Sequence, residues 1–273
     1  MATPENRPGA AAATPSPGAI HRDGRDPWDA LASRTPARIA LGRAGGSLRT
    51  ESLLEFRLAH AGARDAVHTP FAIEGLEQGL GQLGFPTARL ATAAVDRRTY
   101  LLRPDLGRRL DAASAELLRR EAAGWGRRDL AVLVSDGLSA TAASLNAVDT
   151  VAELARILTK AGWTLYPVFL VPFARVKLQD AVGEILGARL SLSLLGERPG
   201  LSAHDSLGAY FTFGPRADRT DADRNCVSNI RTGGLPPAAA ARELARLLLE
   251  SSRQRLSGVR LKASSHGAGA ISG

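Results

Sequence analysis

The rhythm of apolar and polar positions changes near residue 126, and that change divides the chain. Beyond it, Leu130-Ala-Val-Leu-Val134 is an unbroken apolar run, short enough for a strand buried on both faces of a sheet. A helical period follows and predicts Leu145, Val148, Ala152, Ala155 and Leu158 on its inner face. Residues 163–171 read as a second strand, which Pro167 places near an edge because proline lacks the ladder donor. A short helix is expected over 180–186. Residues 189–195 form a third strand, alternating Leu190, Leu192 and Leu194 with serines, and 207–213 form a fourth. Pro236-Pro237 opens a last amphipathic helix through Leu244, Leu247 and Leu248. Strands alternating with helices imply a parallel sheet with right-handed crossovers. Residues 126–262 are therefore expected to be a Rossmann-like α/β layer sandwich.

The first half lacks that alternation. Asp26-Pro27-Trp28 has the form of a helix start, an aspartate cap followed by proline at the first helical position. The glycine-rich stretch 42–47 (Gly-Arg-Ala-Gly-Gly-Ser) precedes a helix that Thr50 caps, with Leu54, Leu58 and Ala61 on one face. After a looser stretch, residues 100–110 lead into another helix that ends near Gly124. Residues 26–125 are thus expected to be a smaller, mainly helical N-terminal domain. Residues 1–25 and 263–273 hold almost no large apolar side chain and are expected to remain flexible, an arm and a tail.

Composition narrows the function. No apolar run is long enough to cross a bilayer, and the start has no apolar centre of a secretory signal. The single cysteine, Cys226, allows no internal disulfide and fits a reducing, intracellular compartment. A formal charge of +8 raises nucleic acid as a partner. However, the basic residues are nearly all arginines spread from end to end, with no interleaved aromatic stripe, and we read them as a solvated surface.

In an open parallel sheet, ligands bind beyond the carboxyl ends of the strands. Three such ends carry more than turn residues: Ser135-Asp-Gly137, Pro172-Phe-Ala-Arg-Val-Lys177 and Gly196-Glu-Arg-Pro-Gly200. Strand order predicts that they share a rim, with Glu197 as an acceptor and Arg198 as a donor fork. As plain turns, they would leave Glu197 and Arg198 paired in solvent. The 42–47 loop suits either a phosphate at a helix start or a tight linker. No dinucleotide fingerprint, P-loop or nucleophile elbow is present. His21, His60, His68, His204 and His266 have no metal-ligand spacing, and no catalytic constellation stands out.

Six stretches in order are more specific. They are Ala37-Arg-Ile-Ala-Leu-Gly-Arg-Ala-Gly-Gly46, Leu102-Arg-Pro-Asp-Leu-Gly-Arg-Arg109, Val134-Ser-Asp-Gly-Leu-Ser139, Gly183-Glu-Ile-Leu-Gly-Ala188, Gly196-Glu-Arg-Pro-Gly-Leu201 and Asp223-Arg-Asn-Cys-Val-Ser-Asn-Ile230. From about residue 27 to 262 the chain resembles the small (light) chain of adenosylcobalamin-dependent ethanolamine ammonia-lyase. The resemblance implies a subunit of a lyase that turns ethanolamine into acetaldehyde and ammonia by a radical mechanism. It would be inactive alone and would assemble into a higher-order hetero-oligomer with a large β/α-barrel chain that holds the substrate. The cofactor, adenosylcobalamin, would lie between the two chains with its own base on cobalt; the lack of an Asp-x-His-x-x-Gly run agrees. The family's cobalamin contacts fall here on Val176, Glu197 and Cys226. The residence implied is the cytoplasm or a bacterial microcompartment, although the 1–25 arm has no amphipathic helix to direct encapsulation. The competing reading is a stand-alone nucleotide-binding protein.

Overall fold

The computed structural model describes residues 46–201 and 203–261, with residues 31, 34, 38, 39, 41, 43 and 44. The arm at 1–25, the helix start at Asp26-Pro27-Trp28 and the tail at 263–273 lie outside the described residues. The chain separates into two compact units, 1–58 and 59–273. In the first, β1 (Arg43–Ala44) pairs antiparallel with β2 (Ser47–Leu48). The Ser52 hydroxyl donates to the Leu41 carbonyl at 3.3 Å. Helix α1 (Thr50–His68) begins at Thr50 rather than after it, and Leu54 and Leu58 are exposed.

The second unit is built on a six-stranded sheet. The stretch that periodicity left unassigned supplies helix α2 (Ile73–Gln82) and an edge strand, β3 (Thr87–Arg89). Then come α3 (Arg97–Leu102), α4 (Ala112–Trp125), β4 (Leu130–Ser135), α5 (Ala140–Lys160), β5 (Val168–Leu170), α6 (Leu178–Leu186), β6 (Leu190–Gly196), β7 (Leu207–Phe213), β8 (Arg224–Ile230) and α7 (Pro237–Gln254). Side-chain caps start three helices: Asp96 accepts from Thr99 N, Asp111 from Ser114 N and Ser139 from Ala142 N.

The strand order is β3-β5-β4-β6-β7-β8. The first four are mutually parallel, as expected. Strand β5 is shorter than residues 163–171, starts just after Pro167 and lies second from the edge. The expected parallel direction of 207–213 is overturned, because β7 runs antiparallel to β6. A parallel return needs a crossover of a dozen or more residues, and the segment from Glu197 to Ser206 is too short and holds no helix. Strand β8, which periodicity did not predict, then pairs antiparallel with β7.

Both faces of the sheet are covered. Leu130, Val132 and Val134 face one core, with Leu190, Leu192, Leu194, α5 and α7; Ala131 and Leu133 face the other, with Leu118 of α4 and Leu178 and Val182 of α6. This explains the unbroken run in β4: a strand covered on both sides has no polar side. Each fully buried leucine contributes roughly 1.5–3 kcal/mol relative to exposure. The inner face of α5 is rotated from the expected one. Ala155 and Leu158 are buried as expected, but Leu145 is 62% exposed and Val148 and Ala152 are half-buried, whereas Ala143, Ala147, Val151 and Leu154 enter the core. Ala143 and Ala147 let α5 approach the sheet and α7 closely.

Candidate functional site

The carboxyl ends of β4, β5 and β6 do meet, and backbone chemistry holds them together. Asp136 Oδ1 accepts from Phe173 N at 2.7 Å and from the Ser135 hydroxyl at 3.0 Å, while Ser135 Oγ accepts from Ala174 N at 3.0 Å. Leu138 N donates to the Gly196 carbonyl at 2.8 Å. From α3, Arg97 donates to Asp136 Oδ2 and to the Gly137 carbonyl, both at 2.7 Å. Its guanidinium also lies against both the Tyr100 and Phe173 rings, 5.3 and 5.4 Å from their centroids, which are themselves 6.1 Å apart. Phe173 holds φ at 59°, the left-handed region that costs a bulky residue energy, and the Asp136 bond to its N–H supports it. Burial pushes the Asp136 carboxyl up, with Arg97 opposing. Asp136 is fully buried, so the Ser135-Asp-Gly137 loop is a brace for the rim rather than a surface offered to a ligand.

The open concavity lies beside that brace. Along β7, Leu207, Ala209 and Phe211 enter the core under α5 and α7, so Gly208, Tyr210 and Thr212 point to the opposite face. Helix α6 packs against β4 and β6 on that face, and toward β8 the cover thins: Tyr210 is half-buried and Cys226 exposed. A cavity of about 640 Å³ opens there. Val176, Lys177, Tyr210, Arg219, Arg224 and Cys226 form most of its wall.

Two of the three expected contact residues line this cavity, and Glu197 does not. Val176 and Cys226 line it, and Cys226 is the cross-strand partner of Tyr210. Glu197 accepts from the Tyr210 hydroxyl at 2.5 Å, so a single phenol connects it to the wall. Glu197 is engaged by Tyr210, not left in a solvent pair with Arg198. The basic floor is fixed by Asp180: Arg224 donates to both of its carboxylate oxygens at 2.9 to 3.0 Å, and Lys177 lies 2.9 Å from it. Burial pushes Asp180 up while these two cations pull it down.

No sequence motif singles out Tyr210 or Arg97 as a site residue. The parity of residues 207–213 signals Tyr210, since period two sets it against Leu207 and Phe211. Arg97 had no local signal, because its partner is 39 positions away.

The phenols supply a pH test. Burial raises Tyr210, and the Glu197 bond adds to it; burial pushes Tyr100 up to about 12. An unfolded tyrosine titrates near 10. The stability contributed by the neutral Tyr100 is therefore complete below about pH 10 and is lost as pH rises toward 12. Ultraviolet titration of the folded chain should show late phenolate formation. All three tyrosines ionised by pH 11, with circular dichroism still native, would contradict this.

Comparison with known proteins extends the picture. The family model described as ethanolamine ammonia-lyase light chain (EutC) matches residues 25–262. The ethanolamine ammonia-lyase small subunit of Azotobacter vinelandii is 53% identical over 238 residues, covering 87% of this chain and 88% of the relative. That of Pseudomonas aeruginosa is 52% identical, covering 87% of each chain. The small subunit of Ralstonia nicotianae is 53% identical over 239 residues, covering 87% of this chain and 88% of the relative.

Proposed function

The chain belongs to the ethanolamine ammonia-lyase light-chain family and is a subunit of a lyase; from that premise we propose that it holds one side of adenosylcobalamin against a large chain. The cofactor supplies radical chemistry for the conversion of ethanolamine to acetaldehyde and ammonia. The observation that carries the reading is the grouping of Val176, Cys226 and, through Tyr210, Glu197 around one open cavity.

The residues fit such a group in kind. A corrinoid presents an apolar ring bordered by amide side chains. Val176, Cys226 and the Tyr210 ring give it apolar contact, and the Glu197 carboxylate retains lone pairs to accept amide N–H. Cavities of 300–1,000 Å³ enclose drug-sized ligands. A corrinoid is larger, so this wall takes one edge and a second polypeptide, a β/α-barrel chain, supplies the rest. The parallel strands act as a Rossmann-like scaffold behind the wall. The large chain binds the substrate, and the pairs assemble into a higher-order hetero-oligomer.

The test is equilibrium dialysis of cobalamin with the purified complex of both chains. A hydrogen bond to a charged group is worth about 1.5–3 kcal/mol, so Glu197→Ala should weaken binding roughly ten- to hundredfold while the subunits still assemble. Unchanged affinity would remove Glu197 from the site. The isolated chain should show no activity and little cobalamin binding; an adenine nucleotide co-purifying with it would favour a stand-alone nucleotide protein.

A further inference from the structure

We propose that Tyr210 and Gly208 are positioning residues, which together hold the Glu197 carboxylate in the orientation that receives the cofactor; the inference rests on the reading of Glu197 given above. Both lie on β7, two positions apart, and so on the same face of the sheet. The Tyr210 hydroxyl donates to Glu197 Oε1. A β-carbon on Gly208 would lie 1.8 Å from that same oxygen and 2.8 Å from the carboxyl carbon, so the carboxylate occupies the space that any side chain at 208 would fill. Gly208 has no left-handed backbone angle to explain its identity. The missing side chain is what the carboxylate needs.

The two contacts divide the work. Gly208 lets the carboxylate lie close over β7, and the phenol restricts its rotation by occupying one oxygen. The second oxygen is left to accept from a ligand. Tyr210 is itself on the cavity wall, opposite Cys226 in the strand pairing. Its phenol is raised by burial and by Glu197, so it stays a protonated donor throughout the neutral range. A free glutamate samples several rotamers, and a carboxylate already held loses less freedom when ligand arrives.

The experiment uses the complex of both chains and hydroxocobalamin as probe, with affinity measured by equilibrium dialysis and assembly by size-exclusion chromatography. Tyr210→Phe keeps the ring and removes only the hydroxyl; it should weaken binding about three- to tenfold with assembly intact. Gly208→Ala should weaken it at least as much. In a Glu197→Ala background, Tyr210→Phe should have no further effect, because its action passes through the carboxylate. A structural role for the hydroxyl would instead give the same loss in both backgrounds, which would overturn the inference. So would wild-type affinity in both single variants while Glu197→Ala alone is impaired. If Glu197→Ala itself binds normally, the parent reading fails first.

Discussion

Gly196→Ala is expected to remove more than about 4 kcal/mol of stability, enough to leave the chain insoluble or unfolded at 37 °C. A β-carbon at 196 would lie 2.0 Å from the Ser139 carbonyl oxygen and 2.4 Å from that of Asp136. Both are backbone atoms in the turn between β4 and α5, so no rotamer change relieves the overlap. Gly137 meets the same restriction from the other side: its β-carbon would lie 2.3 Å from the Gly196 carbonyl, and its φ is +50°. At that angle alone, alanine costs about 1–2 kcal/mol. The two loops can touch only because neither carries a side chain there, and the bond from Leu138 N to the Gly196 carbonyl depends on that approach. Urea denaturation of each variant, with Gly84→Ala as a control for a left-handed glycine in open space, measures the difference. If Gly196→Ala loses no more than Gly84→Ala, the proposed packing of the two rim loops is wrong.

Arg97→Ala should be nearly as damaging. It leaves the Asp136 carboxylate fully buried without its cation, and breaking a buried pair from one side costs about 3–5 kcal/mol. For a unit of this size, the midpoint of thermal unfolding should fall by roughly 10 °C. Asp136→Asn keeps an acceptor for Phe173 N while removing the charge. Arg97→Ala added to Asp136→Asn should therefore cost much less than it does alone. Equal losses in the two backgrounds would show that the guanidinium acts by packing against Tyr100 and Phe173, not by its pairing with Asp136. The decisive measurement is the coupling between the two sites, read from four unfolding curves.

Much of the sheet was legible because β4 and β6 are buried on both faces, and such strands show themselves as continuous apolar runs or leucine ladders. Strand β8 was not legible. As the edge strand it buries only Asn225, Val227 and Ile230, and its remaining residues read as turn chemistry. The direction of β7 could have been inferred from the short link after Gly196, but strand composition is blind to direction. Resemblance alone proposes Val176, Glu197 and Cys226 as contacts, whereas the link from Glu197 to the cavity wall is Tyr210, which the apolar pattern of its strand does not distinguish. Arg97 and Asp136 illustrate the general limit. A contact across 39 residues leaves no periodic trace in either segment.

The edge strand β3 has a consequence for the order in which the molecule can be made. Its register partners, Thr87 with Val168 and Arg89 with Leu170, emerge from the ribosome roughly eighty residues later. Closing so long a loop is slow, because the chain entropy is lost before any contact compensates for it. Until then Thr87–Arg89 lacks its sheet partner, and an unpaired strand edge is open to pairing with a neighbouring chain.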